Sequence, residues 1–176
     1  MIGEVALVAY LPGELAGRLA RIAHRLASDS PERRPHITVL PSRNVPLPDA
    51  ALLEVLRRFA PAALPLRLRL GEIRTFLPVS PVIYLDVMTT DAVLDRLRHN
   101  LLQALPDSIP ERFPYHPHLT LAYDLPAPAV ERLQVRWQRV WEKLRCTWPP
   151  LLELTELTLV RQVGAAEWQD LGSYKR

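Results

Sequence analysis

Two short phrases in this chain carry the same chemistry. Pro35-His36-Ile37-Thr38-Val39-Leu40 and Pro117-His118-Leu119-Thr120-Leu121-Ala122 each set an imidazole and a hydroxyl two residues apart in an apolar frame behind a proline. In an extended strand alternate side chains share a face. Each histidine and its threonine therefore point together, about 7 Å apart at Cα, while Ile37, Val39, Leu119 and Leu121 point into a core. A strand histidine with a nearby threonine is by itself usually structural; its repetition is what points to function. Two imidazoles and two hydroxyls in one cleft suit phosphoryl chemistry without a metal. A neutral histidine takes a proton from an attacking hydroxyl, and a protonated one gives a proton to the leaving oxygen. Each threonine hydroxyl donates to a non-bridging phosphate oxygen, fixing phosphorus between the rings and stabilising charge as it develops. His36 and His118 are thus the expected acid–base pair, in either order, and Thr38 and Thr120 the expected phosphate holders.

The elements around the phrases also repeat. The two histidines stand 118 − 36 = 82 residues apart, and strands and helices recur at nearly that shift. Ile2–Tyr10 reads as a strand, and Pro12 with Gly13 opens a helix to about Ala27 on the spacing of Leu15, Leu19, Ile22 and Leu26. Pro35–Leu40 is a second strand, and Pro48 with Asp49 starts a helix to about Phe59. Leu66, Leu68 and Leu70 alternate with Arg67 and Arg69 in a strand ending near Phe76. Then Val82–Met88 is a strand, and Thr90 with Asp91 caps a helix to about Leu105. Pro117–Tyr123 is the next strand, Pro128–Leu144 the next helix, and Leu152–Val160 and Glu167–Tyr174 two closing strands. The expectation is an α+β fold: a single bilobal domain over 1–176, built from duplicated halves 1–77 and 78–176. Each lobe is a small, mostly antiparallel sheet with helices outside, and equivalent strands meet across a shared cleft.

The paired His-x-Thr-x-apolar motifs, their separation and the doubled layout resemble the 2H phosphoesterase superfamily over nearly the whole chain. That superfamily includes the bacterial 2′-5′ RNA ligase-like proteins and cyclic phosphodiesterases. The resemblance implies a two-lobed α+β fold and metal-independent action on 2′,3′-cyclic phosphate ends or 2′-5′ phosphodiester linkages of RNA or nucleotides. It places His36, Thr38, His118 and Thr120 at the matching motif positions. The segments Phe76–Asp86 and Leu157–Arg161 are also similar to the family. One position departs: RNA ligase-like members often carry arginine after Leu-Ala in the second motif, where this chain has Tyr123. The alternative reading is a non-catalytic nucleotide- or RNA-binding module that uses the same cleft.

Composition sets the frame. With 176 residues, 48% hydrophobic and 23% charged, the chain matches a soluble globular domain and neither a disordered nor a membrane protein. Six glycines without a phosphate-loop pattern argue against a nucleotide-loop enzyme. Lys plus Arg exceeds Asp plus Glu by 22 − 19 = 3, a mild bias that permits a phosphate-bearing partner without requiring one. Cys146 stands alone, which excludes a disulfide framework; a small buried thiol and a reducing cytoplasm are expected. The apolar run Val5–Leu11 is too short to span a bilayer, and a monomer without cofactor or metal is expected. His116 would share a face with His118 only if the strand begins at His116, and no acidic or cysteine ligand is near in sequence. His24 and His99 read as helix-surface residues. Arg34, Arg43 and Arg161 are candidates to grip phosphate, and Phe76, Tyr84, Tyr123 and Trp168 to stack on a base. Strand alternation counted from His118 turns Tyr123 away from the histidine face.

Overall fold

The computed structural model describes residues 3–27, 34–105, 113–165 and 167–176. Ile2, read as the start of the first strand, lies outside them. The described residues form an α+β fold of four α-helices and one curled antiparallel sheet of eight strands. In chain order these are β1 (Val5–Tyr10), α1 (Gly13–Leu26), β2 (His36–Arg43), α2 (Asp49–Ala63), β3 (Leu66–Thr75) and β4 (Ile83–Thr89). Then follow α3 (Val93–Ala104), β5 (His118–Ala122), α4 (Ala127–Leu144), β6 (Leu152–Leu154), β7 (Glu156–Gln162) and β8 (Trp168–Lys175).

The helices follow their apolar spacing. In α4, Val130, Leu133, Trp137 and Trp141 recur at intervals of three and four and are buried together, while Pro128 sits in the first turn, where its missing N–H breaks no bond. Cys146 falls off that row, in the short turn after the helix, and is exposed rather than buried. At the start of α3 the Asp91 carboxylate accepts the backbone N–H of Val93 at 3.1 Å. Helix α2 runs on to Ala63, past the end expected at Phe59. Pro61 lies in its last turn, and burial of Ala60 and Ala63 outweighs the one hydrogen bond that the proline removes. No described helix is long and apolar enough to cross a membrane.

Strand order is β6-β3-β4-β5-β2-β1-β7-β8. The order is symmetric about the β5–β2 pair: outward on the two sides come β4 and β1, then β3 and β7, then β6 and β8. The two motif strands are therefore hydrogen-bonded neighbours at the centre of one sheet, where the sequence reading set them across a cleft from each other. The third strand of each repeat is also exchanged. β3 pairs with β4, and β7 pairs with β1. The run Leu152–Val160, read as one strand, breaks at Thr155, and its two parts join opposite sides of the sheet. A flat sheet would hold β6 and β7 about 29 Å apart at about 4.8 Å per strand, yet one linking residue spans only about 7 Å. The sheet must curl until those strands meet.

All four helices pack on one face, where Leu7, Ile37, Val39, Leu66, Leu85, Leu119 and Leu157 join the helix side chains in one continuous core. The opposite face holds a small apolar cluster of Ala6, Val8 and Val160, flanked by Tyr10 and Trp168. At a bulge in β3 the Trp141 indole N–H donates to the Gly71 carbonyl at 2.8 Å, fastening α4 to the sheet. A Cβ on Gly71 would come 3.2 Å from Cβ of Asp86, so the glycine leaves room for that aspartate.

Candidate active site

Ile37 and Leu119 are cross-strand partners and are fully buried on the helical face. That register sets His36 opposite Thr120 and Thr38 opposite His118, with all four side chains on the other face. The four are half-buried, and His36 and Thr120 line one cavity together. His118 also feels the charge of His36. The structure thus brings together the four residues that the repeated phrase singled out. The motif is symmetric in the sheet as it is in sequence.

Both rings are held in the same way. Nδ1 of His36 lies 2.8 Å from the Arg34 carbonyl oxygen, and Nδ1 of His118 lies 2.7 Å from that of His116. A carbonyl only accepts, so each Nδ1 carries the proton and each Nε2 is the ring nitrogen with the lone pair. The residue that offers the carbonyl is itself anchored to an aspartate across the sheet. In one half Arg34 lies 3.6 Å from Asp170 and 3.6 Å above the Tyr10 ring, and the Tyr10 hydroxyl donates to Asp170 at 3.0 Å. In the other, Nε2 of His116 donates to Asp86 at 3.0 Å, with Arg74 at 3.6 Å from the same carboxylate. Nothing in the two His-x-Thr phrases themselves points to Asp86, Asp170 or Tyr10 as site residues. A signal existed, because the repeat extends upstream as Arg34-Pro35-His36 and His116-Pro117-His118, and proline holds the preceding residue extended.

The surroundings of the two imidazoles differ. Tyr10 meets His36 edge-on at 6.0 Å between ring centroids. His118 stands against Phe76 at 4.9 Å and Tyr84 at 5.4 Å, two rings that stack on each other at 4.1 Å. Burial holds the His118 imidazole below its ordinary range, and the charges of His116 and His36 push the same way, against Asp86 and the bond to the His116 carbonyl. That shift favours the neutral form of the His118 ring. Burial pushes the Tyr84 hydroxyl up, and burial together with the bond to Asp170 pushes Tyr10 up to about 12, so both stay protonated. The Tyr115 hydroxyl donates to the Thr38 carbonyl at 2.9 Å and ties the approach to β5 onto β2.

The other candidates divide. Phe76 and Tyr84 border His118. Tyr123 lines the cavity with His36 and Thr120, since β5 ends at Ala122 and strand alternation no longer fixes its direction. Arg34 serves as an anchor for His36. Trp168 packs beside Val8 and Val160 on the same face of the sheet. Arg161 is on the helical side, 2.5 Å from Asp49 at the start of α2. Arg43 is buried at the far end of β2, opposite Val5, where its Nε donates to the Pro41 carbonyl at 3.3 Å. Neither of these two guanidiniums joins the histidine pair. His24 and His99 are exposed on α1 and α3.

The fold and the motif can be set beside known proteins. Escherichia coli LigT in complex with phosphate superposes with a TM-score of 0.62 at 18% identity, over 99% of this chain and 97% of LigT. A Thermus thermophilus protein superposes with a TM-score of 0.58 at 16% identity, over 98% of this chain and 97% of that one. No curated protein matches the sequence. The family model of the 2′-5′ RNA ligase superfamily matches residues 11–166, a span that takes in both histidine motifs and every element from α1 to β7. The chain belongs to the 2′-5′ RNA ligase superfamily, the 2H phosphoesterases.

Proposed function

We propose that this protein is a metal-independent phosphoesterase that opens 2′,3′-cyclic phosphate ends or acts on 2′-5′ phosphodiester linkages of RNA or nucleotides. The observation that carries this reading is the matched pair of imidazoles, each with Nδ1 committed to a carbonyl and Nε2 on the face it shares with the two threonine hydroxyls. LigT has been crystallised with phosphate and with 3′-AMP, and the same class of ligand suits this face.

For a cyclic phosphate the reaction runs as follows. Neutral His118 accepts a proton from water as its oxygen bonds to phosphorus. Protonated His36 gives a proton to the ribose oxygen as the ring P–O bond breaks, leaving a nucleoside monophosphate. Thr38 and Thr120 donate to the non-bridging oxygens, where negative charge grows. Phe76 and Tyr84 exclude water from one side of His118, which keeps its proton affinity low enough for a base that must be neutral before it acts.

The test is incubation of the full chain with nucleoside 2′,3′-cyclic phosphates and with short 2′-5′ oligomers in excess chelator, followed by phosphorus NMR. Turnover to a monophosphate supports the proposal. A thermal shift without product indicates a binding module instead, and activity that disappears with chelator overturns the metal-independent mechanism.

A further inference from the structure

The cavity beside the histidine pair is larger than the reacting group needs. It measures ≈ 730 Å³ and lies between α1 and the ends of β2 and β5, with His36 and Thr120 in its wall. That volume falls in the range of sites that enclose a whole small molecule, well beyond one phosphate. Its described lining holds Arg21, His24, Arg25 and Arg34 and no aspartate or glutamate. Apolar surface from Ala20, Ala23, Leu121 and Tyr123 completes it.

The arginines are not equivalent. Arg34 is already engaged by Asp170 and by the Tyr10 ring. Arg21 and Arg25 are exposed, stand one turn apart on α1, and have no carboxylate partner among the described residues; the only acidic residue of that helix is Glu14 in its first turn. Like charges at this spacing repel, so an anion held between them is favoured. Guanidinium groups also match phosphate oxygens in geometry and charge.

We propose that this cavity is a subsite for the remainder of the nucleotide, and that Arg21 and Arg25 grip a second phosphate that does not react. The inference rests on the phosphoesterase reading of the histidine pair and sharpens it. The substrate is a nucleotide or RNA end that bears a further phosphate, in preference to a bare nucleoside cyclic phosphate.

The experiment compares kcat/KM for adenosine 2′,3′-cyclic phosphate with that for the same compound carrying a 5′-phosphate, using the full chain. The expected preference for the 5′-phosphorylated compound is about tenfold at low salt and shrinks as ionic strength rises. In the Arg21→Gln/Arg25→Gln double variant the ratio falls to about one. Equal kcat/KM for the two substrates in the unaltered protein overturns the subsite while leaving the phosphoesterase reading intact. A preference that survives the double variant overturns the assignment to these arginines. Turnover of neither substrate overturns the cyclic-phosphate reading of the histidine pair, and the subsite falls with it.

Discussion

Replacing Asp86 with asparagine isolates the support of the His118 imidazole from the imidazole itself. The carboxylate accepts from His116 at 3.0 Å, and the His116 carbonyl accepts from Nδ1 of His118 at 2.7 Å, so Asp86 acts on His118 through one intervening residue. A hydrogen bond to a charged group contributes about 1.5–3 kcal/mol when sheltered. The Asp86 side chain is 18% exposed but that of His116 is 43% exposed, so solvent screening brings the pair down to about 1 kcal/mol. If that restraint reaches the ring in full, kcat falls about fivefold. The charge has a second effect. Asp86 raises the proton affinity of His118, and its loss moves the acid limb of the pH–rate profile to lower pH. Steady-state kinetics from pH 5 to 9 on the Asp86→Asn protein, with a melting curve to confirm folding, reads both effects. An unchanged profile with kcat within about twofold of the unaltered protein refutes the positioning role. A loss as large as that of His118→Ala also refutes it, by making Asp86 a participant in the chemistry.

Other consequences are open to measurement. His36→Ala and His118→Ala each lower kcat by about 10³-fold in a chain that still folds, whereas Thr38→Val and Thr120→Val each cost about 10- to 100-fold, all read with a cyclic nucleotide in excess chelator. Burial lowers the pKa of His118 in the folded chain below its unfolded value, so the contribution this sets is complete above about pH 6.5 and is lost as pH falls below it. The melting temperature should drop between pH 7.5 and 5.5, and His118→Gln should flatten part of that slope. Leu119→Ala empties a fully buried position in the strand that carries His118 and Thr120; about 3 kcal/mol of stability and about 10 °C of melting temperature should be lost.

Much of this site could be read before the fold was known. The phrase His-x-Thr in an apolar frame fixes which side chains share a face, because strand periodicity is local; Ile37, Val39, Leu119 and Leu121 are all buried as that parity requires. Strand partners are another matter. The alternation in Leu66–Leu70 marks a strand but does not say that it joins β4 from the other half, and the break at Thr155 became visible only when β6 and β7 proved to lie on opposite sides of the sheet. The same limit applies to the candidate arginines. Arg34 and Arg161 look alike in sequence, yet Asp170 holds the first beside His36 while Asp49 holds the second on the helical face. The acceptors of the two Nδ1 protons were hidden for a related reason. They are backbone carbonyls, and every residue has one.

A crystal structure of the protein grown with inorganic phosphate tests the central claim directly. The account predicts one phosphate on the sheet face between β2 and β5, with Nε2 of both His36 and His118 and the hydroxyls of Thr38 and Thr120 each about 3 Å from its oxygens. A phosphate bound to one imidazole alone, or seated elsewhere with the two rings turned apart, would contradict it.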